Sequence, residues 1–217
     1  MPQDEVLDHY EDSWKYHEAK LREQEPNLDA WQRSGVKKVE NDIRDRKIRG
    51  RDQILSYMEN TSKEVLRPWN LPDTGWVASE VPFEEDFAGV RVKGFIDLIL
   101  EHPTTGALVV RDIKTGAKKP TGTFQLATYR HAVIKKYGVD PQWGDYWMCK
   151  DDGPSTPEYL GGTSEELIAS QYQIMDTAER DELYGANIGD HCNRCDVAKY
   201  CPFVGGEPPE GIPMLGT

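Results

Sequence analysis

The chain has 217 residues, a formal net charge of −12 at pH 7 and 37% hydrophobic residues. This length suits one domain around a single core, so we expect no second independent domain. The sequence contains no apolar run of about 18 residues and no cationic leader, which argues against a membrane span or a secretory signal. The four cysteines favour reduced thiols over a disulfide framework. We therefore expect a cytoplasmic protein.

Helical composition dominates the N-terminal region, residues 1–66. Residues 4–25 predict an acidic helix that ends before Pro26. Residues 29 to about 63 predict a second helical region, which is either continuous or divided near Gly50.

Strand and helix signals alternate from residue 76 to residue 150, which favours an α/β core. After a loop at residues 68–75, we predict strands at 76–83, 90–101 and 108–115, a helix at 123–137 and a further strand at 145–149. A last helix at 164–184, with Ser164 as its N-cap, lies in a C-terminal region of residues 163–204. A mobile tail covers 205–217. The predicted architecture is a mixed sheet flanked by helices in one domain, residues 1–217.

Two carboxylates interrupt the apolar strands of this core. Asp97 follows Phe95 and Ile96, Asp112 follows an apolar run from Leu108, and a Pro-Thr-Thr-Gly turn at 103–106 joins the two strands as a hairpin. A carboxylate in an apolar strand is costly unless it is paired or bound to a cation. Oxygen ligands that leave room for waters suit Mg²⁺ or Mn²⁺. Asp97 and Asp112 are therefore predicted metal ligands.

Three further side chains are candidates for the same site. Lys114 lies two residues after Asp112 and therefore on the same face of the strand. There its ammonium could orient or help deprotonate an attacking water. Gln125 and Tyr129 are four residues apart on the following helix and share one face, from which they could hold a phosphate or a water.

The order of these motifs resembles the RecB-type branch of the PD-(D/E)xK nuclease superfamily. Its members show Gly-x-(Ile/Val)-Asp, Asp-x-Lys-Thr-Gly and Gln-x-x-x-Tyr, which stand here at 94–97, 112–116 and 125–129. The resemblance implies a restriction-endonuclease-like fold in which Asp97, Asp112 and the main-chain carbonyl of Ile113 bind the metal and Lys114 is catalytic.

The N-terminal half departs from the family pattern. Relatives place Gly-x-x-x-His on a helix and use the histidine as a metal ligand, but here Val39 follows Gly35 at that spacing. Glu80 matches an acid often seen upstream of the family core and is a candidate for a direct or water-mediated metal contact. For phosphate contacts, the candidates are basic residues in the second helical region and beyond the Asp-x-Lys motif: Lys37, Lys38, Arg44, Lys47, Lys118 and Lys119.

The C-terminal cysteines carry a second resemblance, since several RecB-like exonucleases end with Cys-x-x-Cys and a further Cys. Here these are Cys192, Cys195 and Cys201. In the family such cysteines can hold a four-iron four-sulfur cluster with a cysteine near the N-terminus, which this chain lacks. Three interpretations stay open: a cluster completed by Cys149, a zinc site completed by Cys149 or His191, or no metal.

Together these observations predict a Mg²⁺- or Mn²⁺-dependent hydrolase of DNA phosphodiester bonds in a prokaryotic or phage-infected cell. The resemblance favours an exonuclease acting on single strands or duplex ends. The alternative is a non-catalytic or partner-dependent nucleic-acid-binding subunit that works with a helicase or recombination complex.

Overall fold

The computed structural model of the chain describes residues 2–31, 37–116, 118–183, 187–195 and 197–207. Its contacts divide the chain into two compact units, one of Met1–Arg49 with Glu182–Thr217 and one of Gly50–Asp181. The organisation of 1–217 as a single nuclease domain stays a prediction. Among the described residues, no helix combines the length and apolar character that a membrane crossing needs.

Among its described residues, the unit of Gly50–Asp181 contains a mixed sheet of seven strands. The strands are β1 (Arg67–Pro68), β2 (Ser79–Phe87), β3 (Val90–Glu101), β4 (Leu108–Lys114), β5 (Trp143–Met148), β6 (Gly153–Pro154) and β7 (Glu158–Tyr159). Strands β2, β3 and β4 form an antiparallel meander, and β1 pairs with the end of β3. Strand β5 pairs with β4 in parallel, which requires a crossover connection between them.

Helices cover both faces of this sheet. On one face lie α3 (Phe124–Tyr137), which forms the crossover from β4 to β5, and α4 (Glu165–Arg180). The main core cluster joins α3 residues such as Leu126 and Val133 to Ile99 and Val110 of the sheet. Burying each such aliphatic side chain contributes about 1.5–3 kcal/mol. On the other face, the ring of Tyr57 near the end of α2 (Val39–Thr61) meets Trp147 at 4.8 Å between centroids.

The second unit consists of α1 (Gln3–Gln24), the first part of α2 and a C-terminal segment of short 3-10 turns. Tyr10 of α1 donates a hydrogen bond to the Lys47 carbonyl of α2 at 2.7 Å. Glu18 accepts hydrogen bonds from Trp14 and Arg22. A cavity of about 340 Å³ lies among these helices.

The structure corrects the predicted start of the second helical region. Leu28–Ala30 is a 3-10 turn capped by Asn27, whose side chain accepts from the Asp29 amide, and the α-helix begins only at Val39. Residues 32–36, including Gly35, lie outside the described residues. Helix α2 continues through Gly50, because one interior glycine costs about 1 kcal/mol and does not by itself end a helix.

The strand predicted at residues 76–83 instead runs from Ser79 to Phe87. The strand continues beyond the predicted end to the buried Phe87. The acidic residues Glu84 and Asp86 fit into it because they face Lys93 and Arg91 of β3 across the hairpin. The region predicted as a loop at 68–75 contains Pro68 of β1. The two-residue strands β6 and β7 were not predicted.

The helix predicted at 164–184 is α4. Its N-cap is confirmed, since the Ser164 hydroxyl accepts from the Leu167 amide at 3.3 Å. The helix ends at Arg180, and residue 184 lies outside the described part of the chain. The predicted mobile tail also lies outside it from residue 208 onward.

Candidate active site

The candidate site lies where β3 and β4 separate. The two strands pair from Glu101↔Leu108 to Leu98↔Arg111. Beyond that point the Ile113 amide donates instead to the side chain of Asp97, with 2.6 Å between N and Oδ2. Asp97 therefore spans the gap between the strands, beside Asp112 of β4.

Strand β3 is irregular at this point. Ile96 and Ile99 both join the main core cluster although they are three residues apart, so the alternation of side chains shifts between them. Glu80 occupies the position of β2 between the paired residues Ser79 and Val81, and its φ of 50° lies in the left-handed region. Such local irregularities are common beside active sites.

Asp112 and Lys114 point toward α3, as the two-residue period of a strand predicts. Lys114 Nζ lies 2.8 Å from Asp112 Oδ2 and donates to Gln125 Oε1 at 2.9 Å. Gln125 Nε2 donates to the Tyr129 hydroxyl at 2.8 Å, and that hydroxyl donates to Asp112 Oδ1 at 3.3 Å. The four side chains thus form a closed ring of contacts.

Burial sets the electrostatics of this ring. Asp112 is 2% exposed, and its burial raises the pKa of the carboxyl group. The neighbouring Lys114 ammonium lowers that pKa and the charge of Asp97 raises it further, so the net shift is upward. Burial and the charge of Asp112 also raise the pKa of Tyr129, which keeps the phenol protonated and able to donate.

The pair of carboxylates has the chemistry of a divalent metal site. Asp112 Oδ2 is buried without a directed hydrogen bond, and the Lys114 ammonium is the only partner that the described residues offer it. Buried charge of this kind, next to a second carboxylate, fits a hard cation that takes oxygen ligands and keeps several waters. At this site the described residues contribute two carboxylates, Asp97 and Asp112. They contain no group of three or more His, Cys, Asp or Glu arranged to hold a metal.

Comparison with known proteins decides the family. The sequence pattern of the PD-(D/E)XK nuclease superfamily matches residues 5–202. The chain belongs to the PD-(D/E)XK nuclease superfamily.

It is also similar to two phage proteins that are each named Gene 69 protein. The one from Mycobacterium phage D29 is 32% identical over 207 residues, with 91% of this chain and 76% of the relative covered. The one from Mycobacterium phage L5 is 30% identical over 206 residues, with 84% and 70% covered.

Membership of the PD-(D/E)XK superfamily confirms the predicted restriction-endonuclease-like fold. It also supports a metal-dependent nuclease. The structure brings together Asp97, Asp112, Lys114, Gln125 and Tyr129, and their chemical roles stay predictions. Packing explains the glycine in the Gly-x-Ile-Asp motif, since a Cβ atom at Gly94 would lie 2.8 Å from the ring of Phe83.

Two other predicted contributors to the PD-(D/E)XK site are not seen as ligands. The Glu80 side chain is exposed and joins no group of three metal-ligating residues in the described chain. The Ile113 amide is engaged by Asp97, and a role for the Ile113 carbonyl stays a prediction.

The cysteines do not form a metal site in the described part of the chain. Cys192, Cys195, Cys201 and Cys149 are free thiols, and neither they nor His191 belong to a group that could hold a metal. The Cys192 thiol instead accepts from the Gly189 amide at 3.5 Å, and His191 Nε2 lies 2.7 Å from the Asn187 carbonyl oxygen. The structure therefore lends no support to an iron-sulfur cluster or to zinc.

Most of the predicted phosphate-binding residues contact acids. Lys37 and Arg44 both pair with Asp45, at 2.8 and 3.5 Å. Lys47 pairs with Glu11, and Lys119 pairs with Glu158. Lys38 and Lys118 are exposed. A role for any of them in binding nucleic acid stays a prediction.

The surroundings of Arg111, the residue before Asp112, were not predicted from the sequence. Arg111 is 1% exposed and contacts Glu64 and Asp145. Its position directly after the apolar run Leu108–Val110 was the available signal, but its partners lie 47 and 34 residues away in the chain. A second missed contact joins the Tyr146 hydroxyl to the Gly122 carbonyl at 2.9 Å and holds the connection between β4 and α3.

Replacing Tyr129 with phenylalanine is expected to lower cleavage by less than about tenfold. A neutral hydrogen bond contributes about 0.5–1.5 kcal/mol, and the bond from this phenol to Asp112 is long. The aromatic contact with Phe83, at 6.0 Å between centroids, would be kept. Initial cleavage rates measure the effect, with Tyr137→Phe as the control at the far end of α3. A loss of more than about a hundredfold would instead give the phenol a direct part in the reaction.

Proposed function

We propose that this chain is a deoxyribonuclease that uses Mg²⁺ or Mn²⁺ to hydrolyse DNA phosphodiester bonds, and that it acts as an exonuclease. One observation carries the proposal: the separation of β3 and β4 places Asp97 beside Asp112, with the Lys114 ammonium 2.8 Å from the second carboxylate. Two acids and a lysine in this arrangement match the chemistry of phosphodiester hydrolysis.

Each side chain would have a distinct task. Asp97 and Asp112 would hold the metal, which when bound lowers the pKa of a water and offsets charge on the phosphate. Lys114 would orient the attacking water and stabilise negative charge that develops on the phosphate oxygens. Gln125 would fix the position of the Lys114 ammonium through its hydrogen bond at 2.9 Å. Water would supply the oxygen that bonds to phosphorus, and the departing sugar oxygen would leave with a proton.

DNA as the substrate, and action from its ends, rest on the resemblance to RecB-type nucleases. The net charge of −12 means that phosphate contacts must come from local groups of basic residues and not from the overall field. The similarity to mycobacteriophage proteins supports a place of action in the cytoplasm of a phage-infected cell. A helicase or recombination partner stays a prediction.

The test is degradation of end-labelled DNA, single- and double-stranded, linear and circular, in Mn²⁺, Mg²⁺ or EDTA. We expect metal-dependent loss of linear DNA only, and no loss with Lys114→Ala. Lys63→Ala, which changes an exposed lysine paired with Glu59, is the matched control and should cleave normally. Cleavage of circular DNA would overturn the exonuclease assignment. Folded protein that binds DNA but cleaves none of these substrates would favour the non-catalytic or partner-dependent alternative.

A further inference from the structure

A buried network of charges lies behind the candidate site, on the opposite face of β4. Arg111 Nε and Nη2 donate to the two carboxylate oxygens of Asp145 at 2.7 and 2.8 Å. Arg111 Nη1 and Nη2 donate to Glu64 at 2.7 and 2.9 Å. The guanidinium group also lies 5.4 Å from the ring centre of Trp147. Arg111 is thus held by three residues from two separate segments, Asp145 and Trp147 of β5 and Glu64 of the segment after α2.

Stability alone does not account for such a network. Removing charges from water is so costly that replacing a buried ion network with apolar side chains of similar volume is often neutral or stabilising. Arg111 and Asp145 are 1% and 2% exposed, so both carry this cost in full. A better-attested use of buried charges is to select one arrangement among several that are equally apolar.

The pairing register of strand β4 has to be selected in this way. Leu108, Val109 and Val110 are all buried, so both faces of the first half of β4 are equally apolar. A shift of one residue in strand pairing moves every side chain to the other face. In β4 that shift would turn Asp112 and Lys114 away from α3, and apolar burial would resist it only weakly.

The charge network opposes that shift in register at Arg111, directly before the residues of the candidate site. Arg111 and Asp145 are register partners in the parallel pairing of β4 with β5, and Glu64 holds Arg111 to the segment that follows α2. Arg111 is also the last residue of β4 that pairs with β3. The next two residues supply the Asp112 carboxylate and the amide that Asp97 binds.

We propose that Glu64, Arg111 and Asp145 act as a register lock that positions Asp112 for metal binding and Lys114 for its role beside the metal. Arg111 is then a positioning residue, which acts through the backbone of β4 and touches neither metal nor substrate. The proposal rests on the metal-dependent function proposed above.

The test compares Mn²⁺ affinity with folding stability. In the triple variant Glu64→Leu, Arg111→Met, Asp145→Leu, an apolar cluster replaces the charges. We expect its melting temperature to stay within a few degrees of wild type or to rise, and its Kd for Mn²⁺ to increase by about tenfold or more. Isothermal titration with MnCl₂ well below the melting temperature gives the Kd, and circular dichroism monitors the fold.

Two further variants keep the test decisive. Glu64→Gln removes one charge at an 18% exposed side chain and should raise the Kd by a smaller factor, which decides the question if the triple variant does not fold. The control is Arg130→Met with Asp140→Ala, since this pair forms a similar clamp, at 2.6 Å, between the middle of α3 and the segment after its end. It should change stability without changing the Kd.

The outcomes separate the two proposals. Wild-type Mn²⁺ binding with an unchanged Kd in the folded triple variant and in Glu64→Gln would overturn the register lock alone. Absence of Mn²⁺ binding in the wild type would overturn the proposed metal-dependent function, and the positioning role with it. An equal loss of affinity in the Arg130 control would also overturn the lock, because the effect would then follow stability.

Discussion

Replacing Asp112 with asparagine is expected to abolish DNA cleavage while leaving the melting temperature unchanged or raised at neutral pH. The substitution removes a charged metal ligand, and an amide oxygen is a poor substitute for it. The fold should tolerate the change, because asparagine has the same shape and its amide oxygen can still contact the Lys114 ammonium. Burial raises the pKa of Asp112, so ionisation of this carboxyl group opposes folding.

The sign of this stability effect depends on pH. A carboxyl group whose pKa is raised on folding contributes stability at low pH and loses it as the pH rises through the folded-state pKa. Asparagine does not titrate, so the advantage of the variant should be present at pH 7 and disappear as the pH falls toward about 4, the ordinary aspartate pKa. Thermal melts across this range measure it, with the exposed Asp73→Asn as the control. Full cleavage activity in the Asp112 variant would remove the residue from the site.

Replacing Lys114 with methionine is expected to lower cleavage by about a hundredfold or more while Mn²⁺ binding is kept or tightened. The ammonium lies 2.8 Å from the Asp112 oxygen, so it competes with a metal for the same negative charge. Its removal takes away a positive charge from the metal's surroundings. It also takes away the group that would orient the attacking water.

The two substitutions should therefore have different effects on Mn²⁺ affinity. Asp112→Asn should weaken Mn²⁺ binding and Lys114→Met should not, although both should stop cleavage. Calorimetric titration with MnCl₂ and initial cleavage rates, measured on the same preparations, separate a ligand from a catalytic group. Lys150→Met, at an exposed position, is the control for charge removal. If Lys114→Met loses Mn²⁺ binding, the lysine supports the structure of the site and is not specific to the reaction.

Sequence patterns predicted the parts of the fold that depend on local periodicity. The β3–β4 hairpin and α3 could be predicted because the apolar runs, the turn signal and the uninterrupted helical stretch are each local features of consecutive residues. The placement of Asp112 and Lys114 on one face follows from the two-residue period of β4. Superfamily membership confirms the fold class that these elements predicted.

Contacts between distant segments could not be predicted in this way. Glu64 lies 47 residues before Arg111, and no local pattern relates the two. The end of β2 was placed too early because its acidic run was interpreted without the cations of β3 that face it. The cysteine spacing suggested a metal site, but spacing alone does not fix the directions of the thiol groups, and the described chain brings no such site together.

The ring of Asp112, Lys114, Gln125 and Tyr129 closes through the chain's own contacts. Its buried carboxylate already has a counter-ion, so the site does not require a metal in order to assemble. This contrasts with small zinc domains, in which chelators cause unfolding. A preparation kept in EDTA should accordingly remain folded but show no cleavage activity for as long as the chelator is in excess. A single addition of divalent salt would then start every molecule at the same moment, which suits the protein to rapid-mixing experiments.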